Sequence, residues 1–244
     1  MAIRLIVTKN YEEMCDEAFK VFQEVLDANP SAVLGLATGS TPIGLYQRMI
    51  QEYKEGKRSY KNVTTVNLDE YVGLGEENEQ SYVYFMNDNL FNHIDVKKEN
   101  VNLPNGKVTD MQAECDRYNE LLKTLRQDVQ LLGIGGNGHI AFNEPGTSFD
   151  EVTHYVELDE RTRKDNSRFF RSIDEVPTHA LSMGIANVLN AKKILLLANG
   201  AGKADAVKAM MEGEISTACP ASALRTHQDA IVICDEAAAS KLSK

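Results

Sequence analysis

Short runs of mostly apolar residues alternate along the chain with longer stretches in which apolar residues recur every three or four positions. The short runs predict β-strands over Ile3–Thr8, Ala32–Ala37, Val63–Leu68, Val129–Ile134, His154–Leu158, Lys193–Ala198 and Ala230–Cys234. Several of these runs are apolar at almost every position, which is typical of strands covered on both faces. The longer stretches have the period of helices that bury one side.

The first helical stretch has the clearest boundaries. Asn10 can cap its N-terminus with Glu13 at the third helical position, and Asn29 followed by Pro30 predicts its end. Between these ends, the apolar residues at helical spacing are Met14, Ala18, Phe22, Val25 and Leu26. Further helices are predicted over Gly44–Lys54, Tyr82–Phe91, Asp110–Leu125, Gly202–Glu212 and Glu236–Leu242.

The alternation of strands with helices predicts an α/β fold in which a mostly parallel sheet carries helices on both faces. The 244 residues suit one large α/β domain, since domains commonly contain roughly 150 residues. Because we find no internal repeat and no linker rich in Pro, Gly or Ser, we predict a single domain over residues 1–244. Ligands of such sheets bind beyond the carboxyl ends of the strands.

The charge balance narrows the choice of partners. Lys and Arg number 26 against 36 Asp and Glu, a formal net charge of −10. Nucleic acids and anionic membranes are polyanions that need a basic surface, so we expect neither as a partner. A single small phosphate could still bind, because one pocket can be positive on an acidic protein.

The cysteines and the N-terminus predict a cytoplasmic protein. Cys15, Cys115, Cys219 and Cys234 form no C-x-x-C pair, which favours free buried thiols over a disulfide framework or a zinc site. The first residues lack the basic and apolar regions of a signal peptide. No stretch approaches the roughly 18 consecutive apolar residues of a membrane span.

Small and hydroxyl residues follow the second predicted strand. Gly39, Ser40 and Thr41 precede Pro42 at the start of a predicted helix. Backbone N–H groups at such a point can bind an anion, which the helix dipole also favours. An ordinary turn with a hydroxyl cap explains the same residues equally well. The spacing matches neither a Walker A loop nor G-x-G-x-x-G, so no dinucleotide cofactor is predicted.

Acidic residues follow the third predicted strand. Asp69 and Glu70 are adjacent, and neighbouring side chains of extended chain point apart, so we expect only one of them in a site. A partly buried carboxylate there could act as a general base. The alternative is an acid that caps a helix or closes a loop.

The fourth predicted strand leads into the glycine-rich stretch GGNGHIAFNEPG. His139 has the side chain best suited to proton transfer near neutral pH, and the glycines leave room for a ligand. Glu144 could fold back to orient the imidazole, which favours a general acid–base pair over a structural histidine. Arg168 and Lys203 could supply charge to a phosphate, although each taken alone is more typical of a solvated surface charge. No ligand spacing predicts a metal.

The segments TGSTPIGLY, VNLDEYVGL, GIGGNGHIAFNEPGTSF and RTRKDNSRFF resemble the glucosamine-6-phosphate deaminase (glucosamine-6-phosphate isomerase) family. The resemblance extends from the first strand to about residue 235, in the order and spacing of that family. It implies a Rossmann-like fold and conversion of glucosamine 6-phosphate and water to fructose 6-phosphate and ammonia in amino-sugar catabolism. It implies a hydrolase acting on a C–N bond without cofactor or metal.

The resemblance also implies a role for each matching residue. Asp69 corresponds to the base that removes the C2 proton, His139 to the acid–base group that opens the sugar ring, and Glu144 to the carboxylate that orients His139. The residues that correspond to phosphate contacts are Gly39, Ser40, Thr41, Arg168 and Lys203.

Two features of the chain, the residue at position 137 and the length of the C-terminal tail, differ from some family members. Asn137 stands where some members have Asp; an amide adds no negative charge, so we expect Asn137 to line the ring-opening site through hydrogen bonds alone. Allosteric hexamers of the family have a longer C-terminal tail, so we expect weak or no activation by N-acetylglucosamine 6-phosphate and a monomer or small oligomer. The segment Phe149–Arg171, which carries Arg168, could be a mobile lid.

Two alternatives remain open on the residues alone. A 6-phosphogluconolactonase-like hydrolase would share the fold, but it needs only attack of water on an ester, which leaves a C2 base at Asp69 without a task. A non-catalytic sugar-phosphate sensor would keep the pocket and lose the chemistry, yet all three acid–base positions are filled.

Overall fold

The computed structural model describes residues 3–243, apart from the side chains at positions 161, 165 and 169; positions 1, 2 and 244 of the predicted domain lie outside the described residues. Within this part of the chain the strands are β1 (Arg4–Thr8), β2 (Val33–Leu36), β3 (Thr64–Asn67), β4 (Asp69–Tyr71), β5 (Val101–Asn102), β6 (Val129–Leu132), β7 (His154–Glu157), β8 (His179–Ser182), β9 (Ile194–Ala198) and β10 (Ala230–Asp235). The α-helices are α1 (Tyr11–Ala28), α2 (Ile43–Lys54), α3 (Tyr82–Asn89), α4 (Met111–Thr124), α5 (Glu160–Asn166), α6 (Ile185–Leu189) and α7 (Ala204–Glu212).

Seven of these strands form one parallel sheet in the order β1-β10-β9-β6-β2-β3-β5. Every residue of β6, β9 and β10 is buried. Since successive side chains of a strand point to opposite faces, both faces of the sheet are covered along these strands. The predicted α/β fold with a mostly parallel sheet in a single domain is confirmed.

The remaining strands form a second, antiparallel sheet in the order β4-β8-β7. The strand predicted at His154–Leu158 is β7, and it therefore lies outside the parallel sheet. Leu68 links the two sheets: its N–H donates to the carbonyl of Leu36 on β2, and its carbonyl accepts the N–H of Met183 after β8. The chain thus passes from one sheet to the other immediately before Asp69.

The first predicted helix has the predicted boundaries in the structure, whereas the last predicted helix is absent from the described residues. The Asn10 side chain accepts the N–H of Glu13 at 3.0 Å, and α1 ends before Asn29 as predicted. The helix predicted over Glu236–Leu242 is wrong, because that segment forms consecutive turns. The Asp235 carboxylate accepts the N–H of Ala238, while Ser240 and Leu242 bond back only three residues, so no helical ladder continues.

The four cysteines are free and buried, as expected. Cys219 precedes a 3-10 helix (Pro220–Thr226) and lies against Gly138, whose carbonyl accepts the N–H of Ala221 at 2.9 Å. A Cβ atom at Gly138 would lie 2.8 Å from the Cys219 sulfur. Between residues 3 and 243, no helix combines the length and apolar character needed to cross a bilayer.

Candidate active site

The order of the parallel sheet brings four functional segments to one edge. β9, β6, β2 and β3 are neighbours, and all of them run in the same direction. The segments that follow their carboxyl ends carry Lys203, the His139 loop, Gly39–Thr41 and Asp69 respectively. This is the edge at which α/β sheets bind their ligands.

The Gly39–Thr41 loop is held in place by groups from outside it. Gly39 has a φ of +94°, a conformation that favours glycine. The Tyr11 hydroxyl of α1 lies within hydrogen-bond distance of the carbonyls of Ser40 (3.2 Å) and Thr41 (3.0 Å), and it accepts the N–H of Gly44 at 2.9 Å. The loop leads into α2, which begins without a side-chain cap. Its first N–H groups are therefore suited to an anion.

The segment after β9 is fastened to the same loop. The Thr41 hydroxyl donates to Oδ1 of Asn199 at 3.0 Å. The next residue, Gly200, has a φ of +86°, and its N–H donates to the Asp235 carboxylate at 3.0 Å. Lys203, at the end of the short 3-10 helix that follows, is thereby carried on a segment that contacts Thr41 directly.

Asp69 and Glu70 have separate structural roles. The Glu70 carboxylate accepts the N–H groups of Tyr71, Tyr82 and Val83 at 2.8–2.9 Å, so it caps α3 and closes a loop. Asp69 is 7% exposed, and burial, followed by the charge of Glu70, raises its pKa to about 8. Glu70 is therefore the acid that caps a helix and closes a loop. The burial and raised pKa of Asp69 suit a general base, and that role stays a prediction.

The side chains of His139 and Glu144 lie next to each other, although Nδ1 of His139 has no hydrogen-bond partner among the described residues, so their action as an acid–base pair stays a prediction. Nδ1 of His139 lies 3.4 Å from Oε1 of Glu144, and both side chains are partly exposed. Asn137 contacts both residues: its Nδ2 donates to Oε2 of Glu144 at 2.6 Å, and its Oδ1 accepts the N–H of His139 at 3.1 Å. Burial works to raise the pKa of Glu144, but His139, Thr162 and Asn137 outweigh it and lower the pKa to about 2. Glu144 is therefore an anion at any working pH.

The glycine-rich loop after β6, which contains Gly135 and Gly138, determines where the imidazole of His139 lies. Gly135 donates its N–H to the carbonyl of His139 at 2.9 Å, which closes the loop on itself. A Cβ atom at Gly135 would lie 2.3–2.5 Å from the imidazole ring of His139. Gly138 has a φ of +86°. The ring can occupy its position beside Glu144 only because residue 135 has no side chain.

Arg168 does not come from a segment that follows a strand of the parallel sheet. It is exposed in a 3-10 helix (Ser167–Phe169) that follows α5, and it lines a surface cavity together with Asn78 and Gln80. The structure therefore brings the other predicted site residues to one sheet edge, whereas Arg168 comes from the segment between β7 and β8 of the second sheet. Its contact with a phosphate stays a prediction. Among the described residues, no group of three or more His, Cys, Asp or Glu is placed to hold a metal ion.

The geometry agrees with comparisons to known proteins. Residues 8–233 match the family described as glucosamine-6-phosphate isomerases/6-phosphogluconolactonase. The chain belongs to that family. A glucosamine-6-phosphate deaminase of Clostridium perfringens (strain 13) is 51% identical over 241 residues, which cover 98% of this chain and 100% of the relative. One from Bacillus velezensis is 50% identical over 97% of this chain and 99% of the relative.

Solved structures give the same result for this family member. A monomeric glucosamine-6-phosphate deaminase superposes with a TM-score of 0.96 at 49% identity, covering 98% of this chain and 99% of that one. A 6-phosphogluconolactonase from Trypanosoma brucei has a TM-score of 0.82 at 19% identity, over 99% of both chains. The second likeness shows the shared fold alone.

Sequence reasoning missed the residues that hold the site together. Tyr11 and Thr162 lie 30 and 18 residues from the groups they contact, Thr41 and Glu144. Tyr11 follows a predicted N-cap and resembles any residue of a first helical turn. Asp235 directly follows the predicted strand Ala230–Cys234, as Asp69 follows the predicted strand Val63–Leu68, so the same signal could have identified it.

Replacing Tyr11 by phenylalanine is expected to weaken phosphate binding and leave turnover nearly unchanged. The change removes the hydroxyl that contacts the Ser40 and Thr41 carbonyls and the Gly44 N–H, so the loop and the start of α2 lose their shared anchor. The lost hydrogen bonds should destabilise the fold by about 1–2 kcal/mol. Inorganic phosphate, as an inhibitor of the enzyme, should bind several-fold more weakly by titration. An unchanged inhibition constant for phosphate would show that the Tyr11 hydroxyl does not determine the conformation of the Gly39–Thr41 loop.

Proposed function

We propose that this chain is a glucosamine-6-phosphate deaminase that converts glucosamine 6-phosphate and water to fructose 6-phosphate and ammonia in amino-sugar catabolism. The observation that carries the proposal is Asp69, a buried carboxylate with a raised pKa at the edge that also carries the His139–Glu144 pair. Relatives of that name, about half identical over nearly the whole chain, support it. A lactonase would have no task for a base that removes the C2 proton.

The first proposed step fixes the substrate by its phosphate. Gly39, Ser40 and Thr41 would offer backbone N–H and hydroxyl groups, the α2 N-terminus would add its dipole, and Lys203 would add a positive charge. Arg168 would approach from the segment after α5. Holding the phosphate converts the later proton transfers into reactions between fixed neighbours, which lowers their entropic cost.

The second proposed step opens the pyranose ring. His139 would transfer a proton from the C1 hydroxyl to the ring oxygen as the C1–O5 bond breaks. Glu144 would orient the imidazole and stabilise its protonated form, as a carboxylate beside a catalytic histidine does. Asn137 would hold the Glu144 carboxylate through the hydrogen bond described above. The product of this step is an open-chain aldehyde that bears the amine at C2.

The third proposed step is isomerisation, and the fourth is loss of the amine. Asp69 would remove the C2 proton while O1 takes a proton from solvent, which gives an enolamine. Asp69 would then return its proton to C1, so that the unsaturation moves to C2 as a protonated imine. Water then adds at C2, and ammonia leaves. Because water supplies the ketone oxygen, the finer proposal is a hydrolase that acts on a C–N bond after an aldose–ketose isomerisation. Every step is a proton transfer or an addition of water, so the proposal requires no cofactor.

The same function implies the domain organisation, the partners and the cellular compartment of the protein. Residues 1–244 would form one sugar-phosphate isomerase/deaminase domain whose partner is the small substrate rather than a nucleic acid or a membrane. The structural relative described as monomeric supports a monomer or small homo-oligomer. The four free cysteines suit the reducing cytoplasm.

The test is incubation with glucosamine 6-phosphate, with ammonia and fructose 6-phosphate followed in separate coupled assays. Equimolar appearance of both products is the expected result. Opening of 6-phosphogluconolactone without release of ammonia would replace the proposal by a lactonase. Binding of glucosamine 6-phosphate, seen as a raised melting temperature without either product, would replace it by a sensor.

A further inference from the structure

We infer that Thr162 of α5 is a positioning residue for the His139–Glu144 pair, holding the Glu144 carboxylate in the rotation that aims Oε1 at the imidazole. The inference rests on the proposed function, because the pair is assigned to opening of the sugar ring. It concerns a residue that the reaction itself does not require to touch the substrate.

The hydrogen bonds of the Glu144 carboxylate show why its orientation needs a third group. Oε2 is fixed by Nδ2 of Asn137 at 2.6 Å. Oε1 accepts the Thr162 hydroxyl and also lies 3.4 Å from Nδ1 of His139. One bond at Oε2 leaves the carboxylate free to pivot about that contact, and a second hydrogen bond, from Thr162 to Oε1, removes the remaining freedom.

The hydroxyl of Thr162 lies in a buried environment that suits a specific hydrogen bond. Thr162 is 4% exposed, so its hydroxyl is withdrawn from bulk water and donates to a carboxylate that is an anion at working pH. Hydrogen bonds from a hydroxyl to an ionised acceptor are among the stronger ones in proteins. A threonine in a helix more often bonds to the carbonyl of its own preceding turn; here the hydroxyl bonds across 18 residues of sequence instead.

The helix that carries Thr162 is held in place independently of this bond. Nη2 of Arg163 donates to the carbonyls of Ile173 and Val176 at 3.2 Å. Nδ2 of Asn166 donates to the Tyr71 hydroxyl at 2.9 Å. Removal of the Thr162 hydroxyl therefore leaves α5 attached, and its effect should be confined to Glu144.

The test compares Thr162→Val, which keeps the shape and removes the donor, with Thr162→Ser, which keeps the donor. For the valine variant we expect kcat for glucosamine 6-phosphate to fall about tenfold, the worth of one charge-assisted hydrogen bond, with KM within about twofold. The serine variant should retain kcat within about threefold of the wild type. Equal losses in both variants would overturn the inference, because the donor would then not matter.

Thr147→Val is the matched control. The Thr147 hydroxyl donates to the backbone carbonyl of Glu144 at 2.7 Å, so this variant loses a bond to the same residue without touching its carboxylate. We expect kcat to stay within about threefold, since only a neutral backbone bond is lost. A loss equal to that of Thr162→Val would mean that both act on the loop rather than on the carboxylate, which would overturn the inference.

Two further measurements separate positioning from a general loss of structure. In a Glu144→Ala background, adding Thr162→Val should change the residual kcat less than about twofold, because coupled residues lose their effect when the partner is gone. An open-chain analogue with an alcohol in place of the aldehyde should bind wild type and Thr162→Val equally well. Multiplicative losses in the double variant, or weaker binding of the analogue, would overturn the inference. Failure of the wild-type protein to release ammonia would instead overturn the proposed function.

Discussion

Asp69→Asn is expected to abolish turnover while making the protein more stable. The amide keeps the shape of the side chain but cannot accept the C2 proton, so kcat for glucosamine 6-phosphate should fall by about a thousandfold, as expected for loss of a general base. Substrate binding should persist, because the substitution does not change the Gly39–Thr41 loop that is proposed to bind the phosphate. The measurement is the rate of ammonia release, with the melting temperature recorded on the same samples.

The stability gain follows from the sign of the pKa shift. Burial, followed by the Glu70 charge, raises the pKa of Asp69 to about 8, well above its value in an unfolded chain. Ionisation therefore opposes folding: the penalty is absent below about pH 4, grows as pH rises, and is complete above about pH 8. At about 1.4 kcal/mol per pKa unit it reaches several kcal/mol. Asp69→Asn should thus melt several degrees above the wild type at pH 8, with the gap closing toward pH 4.

The same raised pKa governs the pH dependence of catalysis. A base must be ionised to accept a proton, so kcat/KM should rise with pH up to about 8, the value to which burial raises the pKa of Asp69. Glu70→Gln tests this assignment, because it removes the neighbouring charge that contributes to the raised pKa of Asp69 and retains one oxygen for the α3 N–H groups. The rise should move to lower pH in that variant. An unmoved profile would assign the titration to another group.

Gly135→Ala is expected to lower kcat/KM about a hundredfold through the position of His139, the loss that follows when a general acid–base group is misplaced. The new methyl group would lie 2.3–2.5 Å from the imidazole, so the ring must leave its place beside Glu144. Ring opening, which needs that pair, should become limiting. Product formation from glucosamine 6-phosphate measures the loss.

Gly133→Ala supplies the control for this change. Gly133 lies two residues earlier in the same segment, and a Cβ atom there would have no atom within 4 Å. Both variants make the same chemical change, and neither glycine has a positive φ that alanine would strain. Gly133→Ala should keep kcat/KM within about threefold. If both variants lost activity equally, chain stiffness rather than the imidazole position would be the cause.

The parts of the fold that sequence predicts are those that burial dictates. β6, β9 and β10 are buried at every position, and their apolar runs showed this in one dimension. β4 was missed because it is three residues long, and two of them are acidic. Its pairing with β8 depends on a segment more than a hundred residues away, which no local pattern records.

The candidate site divides in the same way. Asp69, His139 and Glu144 could be proposed from sequence because each follows a strand, and parallel strands bring their carboxyl ends together. The separate roles of Asp69 and Glu70 could not, because they depend on the distance from Glu70 to the N-terminus of α3. The contact of Thr162 with Glu144 spans 18 residues of sequence and depends on where α5 packs, which no local pattern records.

The packing of Cys219 against Gly138 makes this thiol a built-in reporter. Burial raises the pKa of Cys219, so an alkylating reagent attacks only when the surrounding chain opens. Because the thiol lies beside the residue that precedes His139, we expect its labelling rate to report local opening of the chain around Gly138. A ligand that holds this part of the chain closed should slow the labelling. Opening next to His139 can thus be followed with a thiol that the chain already carries.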